Sequence, residues 1–126
     1  MAPTSRPRIL LVEDDLGYQE LLSTILADRY ALSLCSSAEE GMAKLDAEAF
    51  DLVICDINLF GMTGLELLDK LHREGKSEGC PVVLCSSQTD PDTRVKAMTL
   101  GAAGFVVKPY DIDALLALIA TLLSTQ

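Results

Sequence analysis

Five short apolar runs alternate with segments of helical period, and no other feature limits the folds open to this chain as much. The runs are Arg8–Val12, Tyr30–Cys35, Asp51–Asp56, Pro81–Cys85 and Gly104–Val107. Apart from the second, which alternates and reads as an edge strand, they are nearly continuous in apolar residues, as strands covered on both faces require. The intervening segments carry helix signals. Leu21, Leu22, Ile25 and Leu26 recur at helical spacing within residues 16–27. Ser37-Ala38-Glu39-Glu40 has the form of a capping box, with Met42 and Leu45 facing inward behind it. Gly64–Arg73 sets Leu65, Leu68 and Leu71 on one face and is followed by Gly75. Asp90-Pro91 supplies a cap and a first-turn proline for a helix to about Leu100. Asp111 caps a last helix with Leu115, Leu118, Ile119 and Leu122 as its buried stripe. Five β–α units in succession imply a doubly wound α/β fold, a parallel sheet with helices on both faces. Right-handed crossovers then gather the residues that follow the strands at one edge, where such sheets bind ligands.

With 126 residues, 49% of them hydrophobic, the chain suits one domain with one packed interior. No apolar stretch approaches a membrane span, and Met1–Pro7 lacks the apolar core of a signal peptide. These residues read as a short disordered lead, residues 124–126 as a tail, and the protein as cytoplasmic. A formal net charge of −9 argues against nucleic-acid binding by this domain, because phosphate recognition needs clustered Lys and Arg. The four cysteines, Cys35, Cys55, Cys80 and Cys85, form no CxxC pair. Small buried hydrophobes in a reducing compartment describe them better than zinc ligands or disulfides.

The strand ends hold the chemistry. Glu13 and Asp14 follow the first run, Asp56 closes the third, Ser86 and Ser87 follow the fourth, and Lys108-Pro109 follows the fifth. Three acids at one sheet edge repel one another unless they share a cation, and an all-oxygen donor set suits Mg2+. One carboxylate is then placed to attack phosphorus. A metal and a lysine neutralise the transferring phosphoryl oxygens, and a hydroxyl can bond one of them. Taken singly, these residues have plainer readings. Glu13-Asp14-Asp15 is acidic in the manner of a helix start, Asp15 suits a cap better than a ligand, and His72 sits where a helix dipole favours it.

Val12-Glu13-Asp14-Asp15, Asp51-Leu-Val-Ile-Cys-Asp56, Gly61-Met-Thr-Gly64, Val82-Val-Leu-Cys-Ser86 and Gly101-Ala-Ala-Gly-Phe105-Val-Val-Lys108-Pro109 occur in order, each at a predicted strand end. In this the chain, from about Arg8 to Leu123, resembles the receiver domain of two-component response regulators, close in plan to the chemotaxis receivers. The resemblance implies a flavodoxin-like sheet of strand order 2-1-3-4-5. It implies Asp56 as phosphoacceptor, and Asp14, Glu13, Asp56 and the main-chain carbonyl of Asn58 around Mg2+. Lys108 becomes the phosphate-binding lysine, Ser86 the switch hydroxyl, Phe105 the switch aromatic, and the bond before Pro109 a cis peptide. Asn58 and Gln88 match positions that bear on phosphate lifetime. The partners implied are a histidine kinase or histidine phosphotransfer protein, and a downstream effector protein or output domain. A phosphorylation-dependent dimer stays open; no membrane contact is expected.

The chain departs from the family pattern at Leu59-Phe60, where Met-Pro is frequent, at Thr63, where Asp is frequent, and at Ser86, where Thr is more frequent. These changes leave the acids intact. A phosphohydrolase with Asp56 as nucleophile would resemble the haloacid-dehalogenase-like enzymes. It would need a general acid two residues on, where Asn58 cannot transfer a proton usefully. The expectation is therefore a phosphoacceptor with at most slow self-dephosphorylation, not an enzyme. A binding module of the same fold that is never phosphorylated is the third reading.

Overall fold

The computed structural model describes residues 6–76, 79–87 and 90–124. Five strands, β1 (Arg8–Val12), β2 (Ala31–Cys35), β3 (Leu52–Asp56), β4 (Val82–Ser86) and β5 (Gly104–Val107), alternate with five helices. These are α1 (Leu16–Leu26), α2 (Ala38–Ala47), α3 (Gly64–Arg73), α4 (Pro91–Thr99) and α5 (Ile112–Ser124). The strands form one parallel sheet in the order β2-β1-β3-β4-β5.

The continuous apolar runs divide by the strand period of two. Leu10, Val12, Val53, Cys55 and Leu84 face one core with Met42 of α2, Leu67, Leu68 and Leu71 of α3 and Ala97 of α4. Ile9, Leu11, Leu52, Ile54, Val83 and Cys85 face the other, with Leu22 and Leu26 of α1 and Leu115 and Ile119 of α5. Helices therefore cover both faces, which is why alternation is absent from β1, β3 and β4. The order places β1 and β3 side by side with their crossovers leaving in opposite directions. The crevice at the carboxyl ends of that pair is the switch point of the sheet.

Several sequence expectations shift in detail. Leu21 is 37% exposed, because the inward face of α1 is set by Leu22 and Leu26, four residues apart. On α3 the buried set is Gly64, Leu67, Leu68 and Leu71, so Leu67 replaces Leu65, which packs at the rim. The Ser37 box is half formed. Glu40 N–H donates to the Ser37 hydroxyl at 3.1 Å, but the Glu40 carboxylate accepts from Ser36 N–H at 3.3 Å. The reciprocal box stands on α3, where Thr63 and Glu66 accept each other's main-chain N–H at 3.2 Å each. Asp90 and Asp111 cap as expected, accepting from Thr93 N–H at 2.8 Å and Ala114 N–H at 3.1 Å.

The ends show a similar pattern. Residues 1–5 of the expected lead lie outside the described residues, whereas Arg6 donates to the Ala27 carbonyl at 2.7 Å and the Pro7 carbonyl accepts from Ala31 N–H at 2.9 Å. Ser124 closes α5, and residues 125–126 of the expected tail lie outside the described residues. All four cysteines are free thiols, and Cys35, Cys55 and Cys85 are buried. Among the described residues no helix is long and apolar enough to cross a membrane.

Candidate functional site

The carboxyl edge of the sheet is extended past the strands by main-chain bonds that fix the loops. Glu13 N–H donates to the Cys35 carbonyl at 3.0 Å, Ile57 N–H to that of Cys85 at 2.8 Å, and Lys108 N–H to that of Ser86 at 2.9 Å. Glu13, Lys108 and the residue after Asp56 are thus held by the neighbouring strand. Gly64 lets α3 begin directly against the end of β3. A Cβ there would lie 2.5 Å from the Asp56 carbonyl oxygen and 2.9 Å from Ile57 Cα. The loop between them carries Phe60, 93% exposed, and is tied down where Met62 N–H donates to Glu39 at 3.2 Å.

Glu13, Asp14 and Asp56 meet in this crevice, with one carboxylate oxygen from each within 4.8 Å of the others. Glu13 and Asp56 are buried and Asp14 is exposed, so the cluster opens to solvent on one side. Lys108, also buried, crosses between the two buried acids. Its Nζ donates to Glu13 Oε1 at 2.5 Å and to Asp56 Oδ2 at 3.0 Å. Asp56 Oδ1 accepts from Asn58 N–H at 3.2 Å. Burial pushes the Glu13 carboxyl above its ordinary pKa, outweighing hydrogen bonds from Lys108 and Asp15. Burial also acts to lower the Lys108 pKa, but hydrogen bonds to Glu13 and Asp56 prevail and raise it. Three carboxylates against one ammonium leave a formal charge of −3 + 1 = −2 in the crevice. That charge and the all-oxygen donor set fit a hard divalent cation.

The remaining candidates surround this cluster. The side chain of Ser86 is fully buried at the last position of β4, and the Asn58 amide donates to its hydroxyl at 3.3 Å. Asn58 is therefore tied by its side chain to Ser86, a link that sequence reasoning did not anticipate. Phe105 is half-buried on β5, opposite Leu84 of β4, with the Arg94 guanidinium carbon 5.7 Å from its ring centroid. Asp15 serves as the α1 cap, accepting from Tyr18 N–H at 3.0 Å. The bond between Lys108 and Pro109 is cis. Gln88 lies outside the described residues. Sequence reasoning missed Tyr18, whose ring centroid lies 4.2 Å from Lys108 Nζ, and Tyr110, whose ring meets that of Tyr18 edge-on at 5.3 Å. The available signal was Tyr110, two residues after Lys108.

Residues 9–120 match the family model of the response regulator receiver domain. The chain belongs to that family. This receiver domain is 40% identical over 114 residues to the response regulator protein FleR of Pseudomonas aeruginosa, covering 90% of this chain and 24% of FleR. It is 37% identical over 110 residues to the transcriptional activator protein PfeR of the same organism, covering 86% and 35%. The receiver domain thus spans well under half the length of these curated relatives. Among solved structures it superposes on a CheY-like receiver domain protein from Methanospirillum hungatei with a TM-score of 0.88 at 31% identity, covering 96% of each chain. Chemotaxis response regulator CheY4 of Vibrio cholerae gives 0.86 at 25% identity, covering 94% of this chain and 99% of that one. Members of this family are generally phosphoacceptors rather than catalysts.

Proposed function

We propose that this receiver domain takes a phosphoryl group from a histidine kinase or histidine phosphotransfer protein onto Asp56 and reports it by reshaping a partner-binding surface. The observation that carries this reading is the meeting of Glu13, Asp14 and Asp56 with the Lys108 ammonium at the switch point of the sheet. In the transfer the donor's phosphorus–nitrogen bond breaks and an Asp56 carboxylate oxygen forms the new bond to phosphorus. Asn58 N–H and Lys108 hold the carboxylate at opposite oxygens, which fixes the orientation of its attack. Glu13, Asp14 and Asp56, with the Asn58 carbonyl, are the residues that would hold Mg2+. When bound, the ion supplies positive charge against the developing phosphoryl oxygens.

The acyl phosphate brings the acceptor side chain to about −2 in place of −1, by analogy with phosphorylated hydroxyls. Lys108 answers that charge from within the crevice. Ser86, whose oxygen accepts from the Asn58 amide at 3.3 Å, answers it by donating its hydroxyl hydrogen to a phosphoryl oxygen in a charge-assisted bond. Movement of Ser86 opens space toward Phe105, and α4, β5 and α5 then present an altered face to an effector protein or output domain. A coupling of about 1–3 kcal/mol suffices for such a shift. PfeR is named a transcriptional activator, so an output domain elsewhere in a longer natural protein accords with this reading.

The test is labelling by acetyl phosphate with Mg2+. We expect one phosphate per wild-type chain, lost with EDTA and lost in Asp56→Asn. Label that persists in Asp56→Asn would place the acceptor elsewhere.

A further inference from the structure

We infer that Tyr18 is a positioning residue for phosphoryl transfer, its ring face holding the Lys108 ammonium while that group exchanges carboxylate for phosphate; the inference rests on the phosphoacceptor reading of Asp56. Among the described residues, Lys108 Nζ has contacts of two kinds. Two are carboxylate oxygens, Glu13 Oε1 at 2.5 Å and Asp56 Oδ2 at 3.0 Å. The third is the Tyr18 ring, 4.2 Å from Nζ to its centroid, well within the range of a cation–π contact.

The two kinds of neighbour respond differently when the site is used. A hard cation held by Glu13, Asp14 and Asp56 would draw on the same carboxylates, and transfer converts one of those acids into an acyl phosphate. Both carboxylate contacts are therefore renegotiated during the reaction. The ring face offers no oxygen, so it competes neither for the cation nor for the phosphoryl group. It is the contact that persists. A lysine side chain has several freely rotating bonds, and a fixed apolar and electron-rich support limits where its ammonium can swing.

The ring is itself held at both ends. Its main-chain N–H is the one that the Asp15 cap accepts, at 3.0 Å, which places Tyr18 in the first turn of α1 above the crevice. Its ring meets Tyr110 at 5.3 Å with an interplanar angle of 80°, a favourable edge-to-face geometry. Tyr110 packs against the core shared by α1 and α5, and its hydroxyl lies against the Cys85 thiol. The support under Lys108 thus runs through two aromatic rings into the rigid interior. The Tyr18 hydroxyl has no part in it, so phenylalanine should serve and an aliphatic side chain should not.

The test measures acetyl-phosphate labelling rates for wild type, Tyr18→Phe and Tyr18→Leu, each also in a Lys108→Ala background. We expect Phe to stay within about twofold of wild type and Leu to label about 3- to 30-fold more slowly, the range of a partly desolvated cation–π contact. In the Lys108→Ala background the Tyr and Leu forms should label alike, since no ammonium remains to position. Equal rates for Phe and Leu, or a Leu deficit that persists without Lys108, would overturn the assignment. Phenylalanine with increasing ring fluorination at position 18 keeps the ring's shape while weakening its face, so rates should fall in steps whether or not the Leu variant folds. In metal-free protein, NMR should show the Lys108 ε-methylene protons shifted upfield by the ring in wild type and Phe; their absence from the ring current would also overturn it. If the wild type takes no label, the phosphoacceptor reading fails first and this inference with it.

Discussion

Gly64 joins chemistry to packing at a single atom. A methyl group at this position would press into two backbone atoms, the Asp56 carbonyl oxygen and Ile57 Cα, and neither can turn aside as a flexible side chain could. Gly64→Ala must move α3 away from the end of β3, and overpacking of this kind costs about 1–3 kcal/mol. Urea unfolding should show a lower midpoint with an unchanged m-value. The acetyl-phosphate labelling rate should also drop under conditions where the variant is fully folded, because Asp56 moves with its carbonyl. Normal labelling by a destabilised variant would show that the close approach serves packing alone. Asp56 and Lys108 were legible in the sequence because charge at the end of an apolar run is conspicuous. Tyr18 was not, since a single sequence does not say that the first turn of α1 adjoins the end of β5. Only the placement of α1 and α5 on one face of the sheet brings those residues together.

At the level of elements, the caps and stripes show how local and tertiary signals divide. Thr63 was met as a departure from the family's usual aspartate. It proves to be the cap of α3, with both arms of a capping box. The box also anchors the loop that follows Asp56, since Gly64 N–H donates to the Ile57 carbonyl at 3.0 Å. Thr63→Ala should lower stability by about 1 kcal/mol, read as a shift in the urea midpoint, with Thr63→Ser recovering most of it. A Ser variant as unstable as Ala would mean that the methyl group, not the hydroxyl, is what matters. The Ser37 box was readable as a motif, yet its return arm lands on Ser36, because the chain's path into the helix decides which N–H the carboxylate meets. The stripes behave alike. Each helix buries only a narrow face against the sheet, so adjacent leucines such as Leu21 and Leu22 can be separated only by the tertiary docking.

Across the whole molecule, topology was the most legible level, because β–α alternation and crossover handedness leave little choice once five units are recognised. The division into two cores follows from it and has a consequence for pH. Cys35 and Cys55 lie in one core and Cys85 in the other, so both faces of the sheet hold thiols out of water. Burial, reinforced by Glu40, pushes the Cys35 thiol up to about 11. Burial pushes Cys85 up to about 12 and Cys55 well above its ordinary value. The folded state therefore keeps protons that the unfolded chain releases near pH 9, the ordinary thiol value. Where the native state binds more protons, stability falls as pH rises. The contribution of these thiols is complete below about pH 9 and is lost as pH climbs through 11 and 12, at a slope of up to about 1.4 kcal/mol per pH unit for each thiol. Burial also raises the Tyr110 pKa, which adds a slope of the same sign. Urea midpoints measured from pH 8 to pH 11 should hold steady and then decline. The combined variant Cys35→Ala, Cys55→Ala and Cys85→Ala should start from a lower plateau, because each change leaves a small cavity, but decline less steeply. An equally steep decline in that variant would assign the alkaline sensitivity to Tyr110, Lys108 and the chain's overall negative charge.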